Sequence, residues 1–168
     1  MKNKSHLPPT IEVVKNGKIV WRKNEEVDYK TLGFLLACHL IIEHYMTEAL
    51  KTTTWWEKVQ WEAARLTFSQ KIAMLPARAS KIGSEDMMPC IKHLNSLRNK
   101  FGHDIAFRLA DKDLVPFTQL LKRVSQPNEM IPTGKIEILD KFTGMACFWL
   151  VSYISSSSGL AKLALNRE

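Results

Sequence analysis

Two short apolar runs flank Asn16-Gly17 near the N-terminus. Their members are Ile11, Val13, Val14, Ile19, Val20 and Trp21. An Asn-Gly pair tolerates the positive φ angles of a type I′ turn. The sequence therefore predicts a β-hairpin over Ile11 to Lys23. Because a lone hairpin is marginally stable in water, we expect it to pack on the rest of the chain or on a partner.

Periodic apolar positions predict two helices between residues 28 and 75. Asp28 is a preferred N-cap type, and the stretch after it has a broad apolar face at helical spacing. That face consists of Leu32, Leu35, Leu36, Ile42, Met46 and Ala49. Thr54 is another N-cap type, and Pro76 disfavours the helical conformation of the residue before it. We therefore predict a first helix over Tyr29 to Lys51 and a second from Thr54 to Leu75.

A third helix is predicted after a loop over Arg78 to Gly83. We expect Ser84 to cap this helix, and the acidic pair Glu85-Asp86 to favour the positive end of its dipole. Its periodic apolar positions are Met88, Ile91, Leu94, Leu97 and Phe101. Gly102 follows this face, and we expect it to take the left-handed conformation that often ends a helix.

Two more helices complete the pattern. An amphipathic stretch predicts one over Asp113 to Ser125, and a loop bracketed by Pro127 and Pro132 follows it. The last helix is predicted from Ile136 to about Leu163, with an irregularity over Ser155 to Gly159.

Length and composition fit one domain built mainly from helices. The chain has 168 residues and is 45% hydrophobic, which suits a single globular core. We see no internal repeat and no linker. We therefore assign residues 1–168 to one all-α domain. It has an N-terminal extension with the hairpin over residues 1–27 and an antiparallel helical bundle over residues 28–165.

Net charge narrows the class of partner. The formal charge is +7 and the pI is about 9.4, which favours an anionic partner such as RNA, DNA or a membrane surface. The chain has no dense block of Lys and Arg, so a soluble basic protein without such a partner is an equally good interpretation.

The cysteines and the apolar stretches of the sequence indicate the cellular compartment. Cys38, Cys90 and Cys147 are far apart, and an odd count without close spacing argues against a disulfide framework and for a reducing compartment. Met1 to Pro9 lacks the apolar core of a secretory signal. The most apolar stretch, Phe142 to Ile154, is shorter than the roughly 20 residues that a bilayer requires. We therefore expect a cytoplasmic protein with no membrane partner.

The sequence implies no metal or cofactor. Cys90 and His93 form a single Cys-x-x-His pair without a second pair, so we interpret them as a core and a surface residue and not as zinc ligands. There is no Gly-rich phosphate loop and no His-Glu-x-x-His motif.

The most informative segment is LRNKFGH, from Leu97 to His103. Arg98 and His103 have four residues between them. This segment resembles the nucleolytic signature of HEPN proteins, in which four to six residues separate an Arg, often followed by Asn, from a His. The small residue before the His is more often Ala, so Gly102 is a departure. The segment LTFSQKI, from Leu66 to Ile72, is similar to a phrase of the mannitol-repressor-like branch of this family.

The HEPN resemblance spans roughly Tyr29 to Asp104 and becomes loose after Phe107. It implies a HEPN-type helical bundle that forms a homodimer, in which two copies of the motif face one cleft. It also implies a metal-independent endoribonuclease of toxin–antitoxin or antiviral defence type, with an antitoxin or another protein as a further partner. In such an enzyme the ribose 2′-OH attacks the RNA phosphodiester. The products are a 2′,3′-cyclic phosphate and a 5′-hydroxyl.

The chemistry of Arg98 and His103 fits that reaction. Arginine presents a charged, planar fork to phosphate oxygens, and histidine exchanges a proton near neutral pH. Five positions on a straight helix place the two side chains about 140° apart. Both reach one phosphate only if Gly102 ends the helix and His103 turns back. The alternative is structural, because Arg98 and Lys100 also favour a helix C-terminus as cations.

Other residues are candidates for supporting roles. Asn99 either orients His103 or contacts nucleic acid, or is an ordinary polar helix residue. Lys100 is a nucleic-acid-binding candidate beside Arg98. Glu43, four residues after His39, is the candidate from another helix, and the alternative for this Glu/His pair is a surface contact.

Asp104 and three tryptophans each have a structural and a functional interpretation. Asp104 either tunes the histidine or caps the following turn. Trp55, Trp56 and Trp61 either stack on bases or fill a core or interface, which their helical spacing favours.

Three functions follow from these observations. The first is the metal-independent HEPN endoribonuclease. The second is a non-catalytic HEPN module that binds protein or nucleic acid, as a repressor or regulator would. The third is a purely structural helical dimer.

Overall fold

The N-terminal hairpin is present as predicted. The computed structural model describes residues 9–23, 28–53, 64–104 and 107–165 of the chain. Strands β1 (Pro9–Lys15) and β2 (Lys18–Lys23) pair antiparallel. Asn16 and Gly17 between them have φ angles of 52° and 74°, the signs that a type I′ turn requires.

Helices dominate the rest of the described chain, so the mainly-α prediction is confirmed. They are α1 (Tyr29–Thr53), α2 (Phe68–Met74), α3 (Met88–His103), α4 (Asp111–Val124) and α5 (Lys135–Leu165). One turn of 3₁₀ helix (Ala77–Ser80) and a small hairpin of β3 (Lys81–Ile82) and β4 (Glu85–Asp86) connect α2 to α3. No helix of the described ranges is long and apolar enough to cross a bilayer.

The predicted cap of the first helix is confirmed. The Thr31 amide donates to Asp28 Oδ1 at 3.1 Å, and α1 begins one residue after Asp28. Hydrogen bonding by the Thr31 side chain, and then by the Thr31 amide, lowers the pKa of the Asp28 carboxyl below its usual value, because both bonds favour the charged acceptor.

The prediction of a continuous second helix from Thr54 to Leu75 is wrong. Its first ten positions, 54–63, lie outside the described residues, together with the three tryptophans predicted there. The chain leaves helical geometry over Arg65 to Thr67, and Arg65 has a φ of 42°. A capping box explains the new start: the Gln70 amide donates to Thr67 Oγ1 at 3.3 Å, and the Thr67 amide donates to Gln70 Oε1 at 2.8 Å. These bonds satisfy amides that an uninterrupted helix would pair with backbone carbonyls.

The predicted loop and cap before α3 are also wrong. Residues 81–86 form the small hairpin, whose turn contains Gly83 at φ 60° and Ser84. The N-cap position is Met87, whose side chain makes no capping hydrogen bond. The Met88 amide donates to Asp86 Oδ1 at 2.9 Å, and not to Ser84.

The helix ends also differ from prediction. Gly102 stays helical, and α3 continues to His103 before Asp104 adopts extended geometry. The Asp104 amide donates to the Lys100 carbonyl at 2.9 Å and closes the last turn. The helix α5 is continuous through residues 155–159, where an irregularity was expected.

One buried cluster joins α1, α3, α4 and α5. Its fully buried members include Leu35, Ile42, Met46, Ile91, Leu94, Leu97, Phe117, Leu120 and Phe142. The helices α1 and α5 run in the same direction: Lys135, at the start of α5, acts electrostatically on Asp28, just before α1, and Thr143 acts on the Cys38 thiol further along both helices. The antiparallel expectation is therefore wrong for this pair, which is separated by three other helices of the described ranges and not by a short loop.

Candidate nucleic-acid interface

The second half of α3 carries four of the predicted site residues. Arg98, Lys100 and His103 are exposed, and Asn99 is half-buried. The opposite face of α3 is buried through Ile91, Leu94, Leu97 and Phe101. Packing of that face holds the polar face toward solvent.

Two adjoining pockets lie along this polar face. The first, here the Arg98 pocket, has a volume of about 310 Å³ and is lined by Arg98, Asn99, Asn95, His39, Glu43 and the start of α2. The second, here the His103 pocket, has a volume of about 660 Å³ and is lined by His103, Lys100, Asn99, Asn95, Ser96 and Phe107, among others. Asn95 and Asn99 line both pockets, so these two amides form their common border.

The structure does not bring Arg98 and His103 into one pocket. The expected turn back of His103 required a helix end at Gly102, and α3 remains helical there. The two side chains therefore leave one regular helix about 140° apart. Glu43 and Asn99 do share the Arg98 pocket with Arg98, and Lys100 shares the other pocket with His103.

A polar cluster lies behind the Arg98 pocket. His39 Nε2 is 3.1 Å from Asn95 Oδ1, and its Nδ1 is 3.9 Å from Glu43 Oε2. Lys71 Nζ donates to Glu43 Oε1 at 2.7 Å. The His39 ring stacks on Phe68, with 4.0 Å between ring centroids. The cluster joins α1, α2 and α3 at the pocket floor.

Burial holds His39 neutral. His39 is buried, and removal from solvent lowers its pKa because it penalises the charged ring. The hydrogen bond to Asn95 and the Glu43 carboxylate oppose this effect, and the Arg98 and Lys71 charges reinforce it.

We expect His39 to make stability depend on pH. The folded-state pKa lies below the unfolded value, so the unfolded chain binds the extra proton first as pH falls from about 6.5. The free energy of unfolding then decreases by at most about 1.4 kcal/mol per pH unit, the limit for one proton. Urea denaturation at about pH 7.5 and about pH 5.5, either side of the ordinary histidine pKa, measures the change.

The variant for this test is His39→Gln, which we expect to reduce the pH dependence of the free energy of unfolding. The matched control is His44→Gln, which removes an exposed histidine of the same helix and should leave the dependence unchanged. Equal pH dependence in wild type and His39→Gln would contradict the assignment.

Sequence reasoning missed Lys71 and Asn95. Asn95, Asn99 and His103 recur at four-residue intervals on α3, so a helical projection places Asn95 on the face of the motif. Lys71 was visible only as part of the phrase from Leu66 to Ile72. The break before α2 places that phrase beside Arg98, with Thr67, Phe68 and Ser69 lining its pocket.

Cys90 and His93 join α3 to α4. Cys90 is buried, and its thiol lies 3.4 Å from the Pro116 carbonyl. His93 is half-buried, and its Nε2 lies 2.7 Å from the Asp113 carbonyl. Burial raises the pKa of Cys90 to about 11. Across the described ranges, no group of three or more His, Cys, Asp or Glu side chains is placed to hold a metal ion.

Two further cysteines and Asp104 complete the set of residues singled out in the sequence. Cys38 and Cys147 are free thiols, as is Cys90. Asp104 is exposed at the end of α3 and lines the His103 pocket.

Comparison of the chain with protein-family models, curated proteins and solved structures gives no match.

Proposed function

We propose that this protein is a metal-independent endoribonuclease of HEPN type that binds RNA along α3. The observation that carries the proposal is the polar strip of α3, where Arg98, Asn99, Lys100 and His103 border two adjoining pockets. Within the described ranges Arg98 forms no ion pair, and its guanidinium donates only to Asn99 Oδ1, at 3.3 Å. The guanidinium can therefore bind a phosphate without first breaking a salt bridge.

The reaction follows from the side chains at this strip. His103 removes the proton of a ribose 2′-OH, and the oxygen attacks the neighbouring phosphorus. The bond from phosphorus to the 5′-oxygen breaks, and that oxygen takes up a proton. A 2′,3′-cyclic phosphate and a 5′-hydroxyl result. Arg98 stabilises the charge that builds on the phosphate oxygens.

A second copy of the chain completes the proposed site. Arg98 and His103 line different pockets of one chain, so we propose a symmetric homodimer that sets Arg98 of one copy opposite the histidine of the other. The HEPN resemblance is the support for this dimer. It is also the support for a toxin or antiviral defence role and for an antitoxin partner, whereas the spacing of the three cysteines is the support for a cytoplasmic location.

Mixing two inactive variants tests the shared site. Arg98→Ala and His103→Ala are each expected to be inactive alone. Random re-assortment makes half of the dimers mixed, and each mixed dimer has one intact site of two, so about a quarter of wild-type cleavage should return. The measurement is the cleavage rate of a fluorescent single-stranded RNA before and after the variants are mixed. Mixed dimers that are visible by native mass spectrometry and remain inactive would exclude a site shared in this way.

The separation of Arg98 and His103 in one chain favours a second function, a non-catalytic module that binds RNA or protein. Binding without turnover distinguishes it from the enzyme. Wild type that binds a single-stranded RNA pool and leaves every member uncut would support the module. Cleavage that persists in EDTA would support the enzyme.

A further inference from the structure

The border between the two pockets contains an amide that the motif does not include. Asn95 is half-buried on α3 and lines both the Arg98 pocket and the His103 pocket. It precedes Asn99 by one helical turn, and no part of the Arg-to-His signature covers it. Because Asn95 lines the same pocket as Arg98, its hydrogen-bonding state determines what it offers to an anion bound there.

The contact with His39 fixes which end of the amide faces the pockets. His39 Nε2 lies 3.1 Å from Asn95 Oδ1. A carbonyl oxygen only accepts, so the His39 ring must carry its proton on Nε2 and donate it. In this tautomer Nδ1, 3.9 Å from Glu43 Oε2, carries no proton.

The other end of the amide remains available. Asn95 Nδ2 has two hydrogens, and in the described part of the chain it donates no hydrogen bond. Asn95 Nδ2 is also not fully buried, so a ligand in solution can reach it. Two donors of Asn95 therefore have no partner in the described part of the chain, on a side chain that lines the Arg98 pocket together with Arg98 and Glu43. The Glu43 carboxylate is itself paired with Lys71.

We propose that Asn95 binds a phosphate oxygen of RNA through Nδ2, beside Arg98 of the same chain, and that His39 is the residue that positions it. The inference rests on the proposed function, because the ligand is the RNA phosphate of that site. The stacking of His39 on Phe68 and the hydrogen bond to Oδ1 prevent the amide from rotating. Its donors are thus oriented before the anion arrives, which reduces the ordering cost of binding.

The substitution Asn95→Asp isolates the outward end of the side chain. Aspartate keeps an oxygen that accepts from His39 Nε2, so the contact with α1 and the fold are retained. It replaces two donors by an acceptor with negative charge. Because hydrogen bonds to a charged group are among the stronger ones, we expect affinity for RNA to fall about tenfold to a hundredfold.

The matched control is Asn128→Asp. Asn128 is exposed in the turn between α4 and α5, so the same change of amide to carboxylate leaves the net charge equal in the two variants. The probe is a single-stranded RNA with 2′-O-methyl groups throughout, which is bound and not cut. We expect the control to weaken binding less than about twofold, because salt screens a distant exposed charge.

Variants of His39 test the positioning role. His39→Gln retains a donor that reaches Oδ1, whereas His39→Leu has none and frees the amide to rotate. We expect His39→Leu to weaken binding about threefold and His39→Gln to recover most of it. In the Asn95→Asp background neither change should add a further loss, since the oriented donors are already absent. A purely structural role of His39 would instead give losses that add.

The outcomes separate the inference from the proposed function. If wild type binds no RNA, both the role of Asn95 and the proposed function are wrong. If wild type binds RNA and Asn95→Asp binds as tightly as Asn128→Asp, the role of Asn95 is excluded while the RNA-binding function stands. Tighter binding by the control than by Asn95→Asp, with equal circular dichroism spectra, establishes the amide as part of the site.

Discussion

His103→Ala is expected to abolish RNA cleavage and to leave the fold unchanged. His103 is exposed at the last position of α3, so its removal costs little packing. Loss of the proton acceptor should reduce the cleavage rate by about 10²–10⁴-fold. Arg98→Ala should reduce it by about 10²–10³-fold, because a neutral side chain cannot stabilise the charged phosphate. Arg98→Lys should recover little of this, because an ammonium lacks the planar fork.

Controls for this result use the same chain and altered substrates. His44→Ala removes another exposed histidine and should keep full activity. Cleavage should persist in EDTA and spare DNA, which lacks the attacking 2′-OH. An RNA that is still cut at a 2′-O-methylated position, or full activity of His103→Ala, would contradict the mechanism. Rates come from gel or fluorescence assays under single-turnover conditions.

Phe117→Ala is expected to destabilise the fold by about 3–5 kcal/mol. Phe117 is fully buried, and its ring lies 4.7 Å from that of Phe142, which joins α4 to α5. Truncation leaves a cavity in addition to removing apolar contact. For a chain of this length the midpoint of thermal unfolding should fall by about 6–20 °C.

Phe148→Ala is the matched control for the core. It makes the same chemical change at a phenylalanine that is 64% exposed, and surface changes usually stay within about 0.5 kcal/mol. Chemical denaturation of both variants gives the comparison. Similar losses at the two positions would show that the core does not lie where α4 and α5 meet.

Element type could be predicted from the sequence wherever one local signal was dominant. Asn16-Gly17 fixed the hairpin turn, and Asp28 fixed the start of α1. Where two local signals compete, the sequence pattern alone does not decide between them. Thr67 interrupts the second predicted helix, and Asp86, not Ser84, accepts from the first amide of α3. In both cases the rejected pattern was locally acceptable.

Only part of the candidate site could be predicted from the sequence, for a related reason. Glu43 was expected to come from another helix, and the structure places it beside Arg98. Lys71 and Asn95 were missed because their roles arise from contacts between helices that are distant in sequence. Periodicity identifies the face of a residue but not the neighbour that it meets. The position of His103 relative to Arg98 depended on one glycine, whose conformation the sequence leaves open.

That glycine has a consequence for motion at the end of α3. Gly102 is helical, and an added Cβ would meet no atom within 4 Å, so no close contact requires a glycine there. Glycine inside a helix costs about 0.5–1 kcal/mol relative to alanine. We therefore expect the last turn to open at a low local free energy, and its amides to exchange with solvent earlier than those of the buried middle of the helix. His103 lies on that turn, so RNA bound there, as proposed, would also have to order the turn, and this ordering would reduce the net free energy of binding.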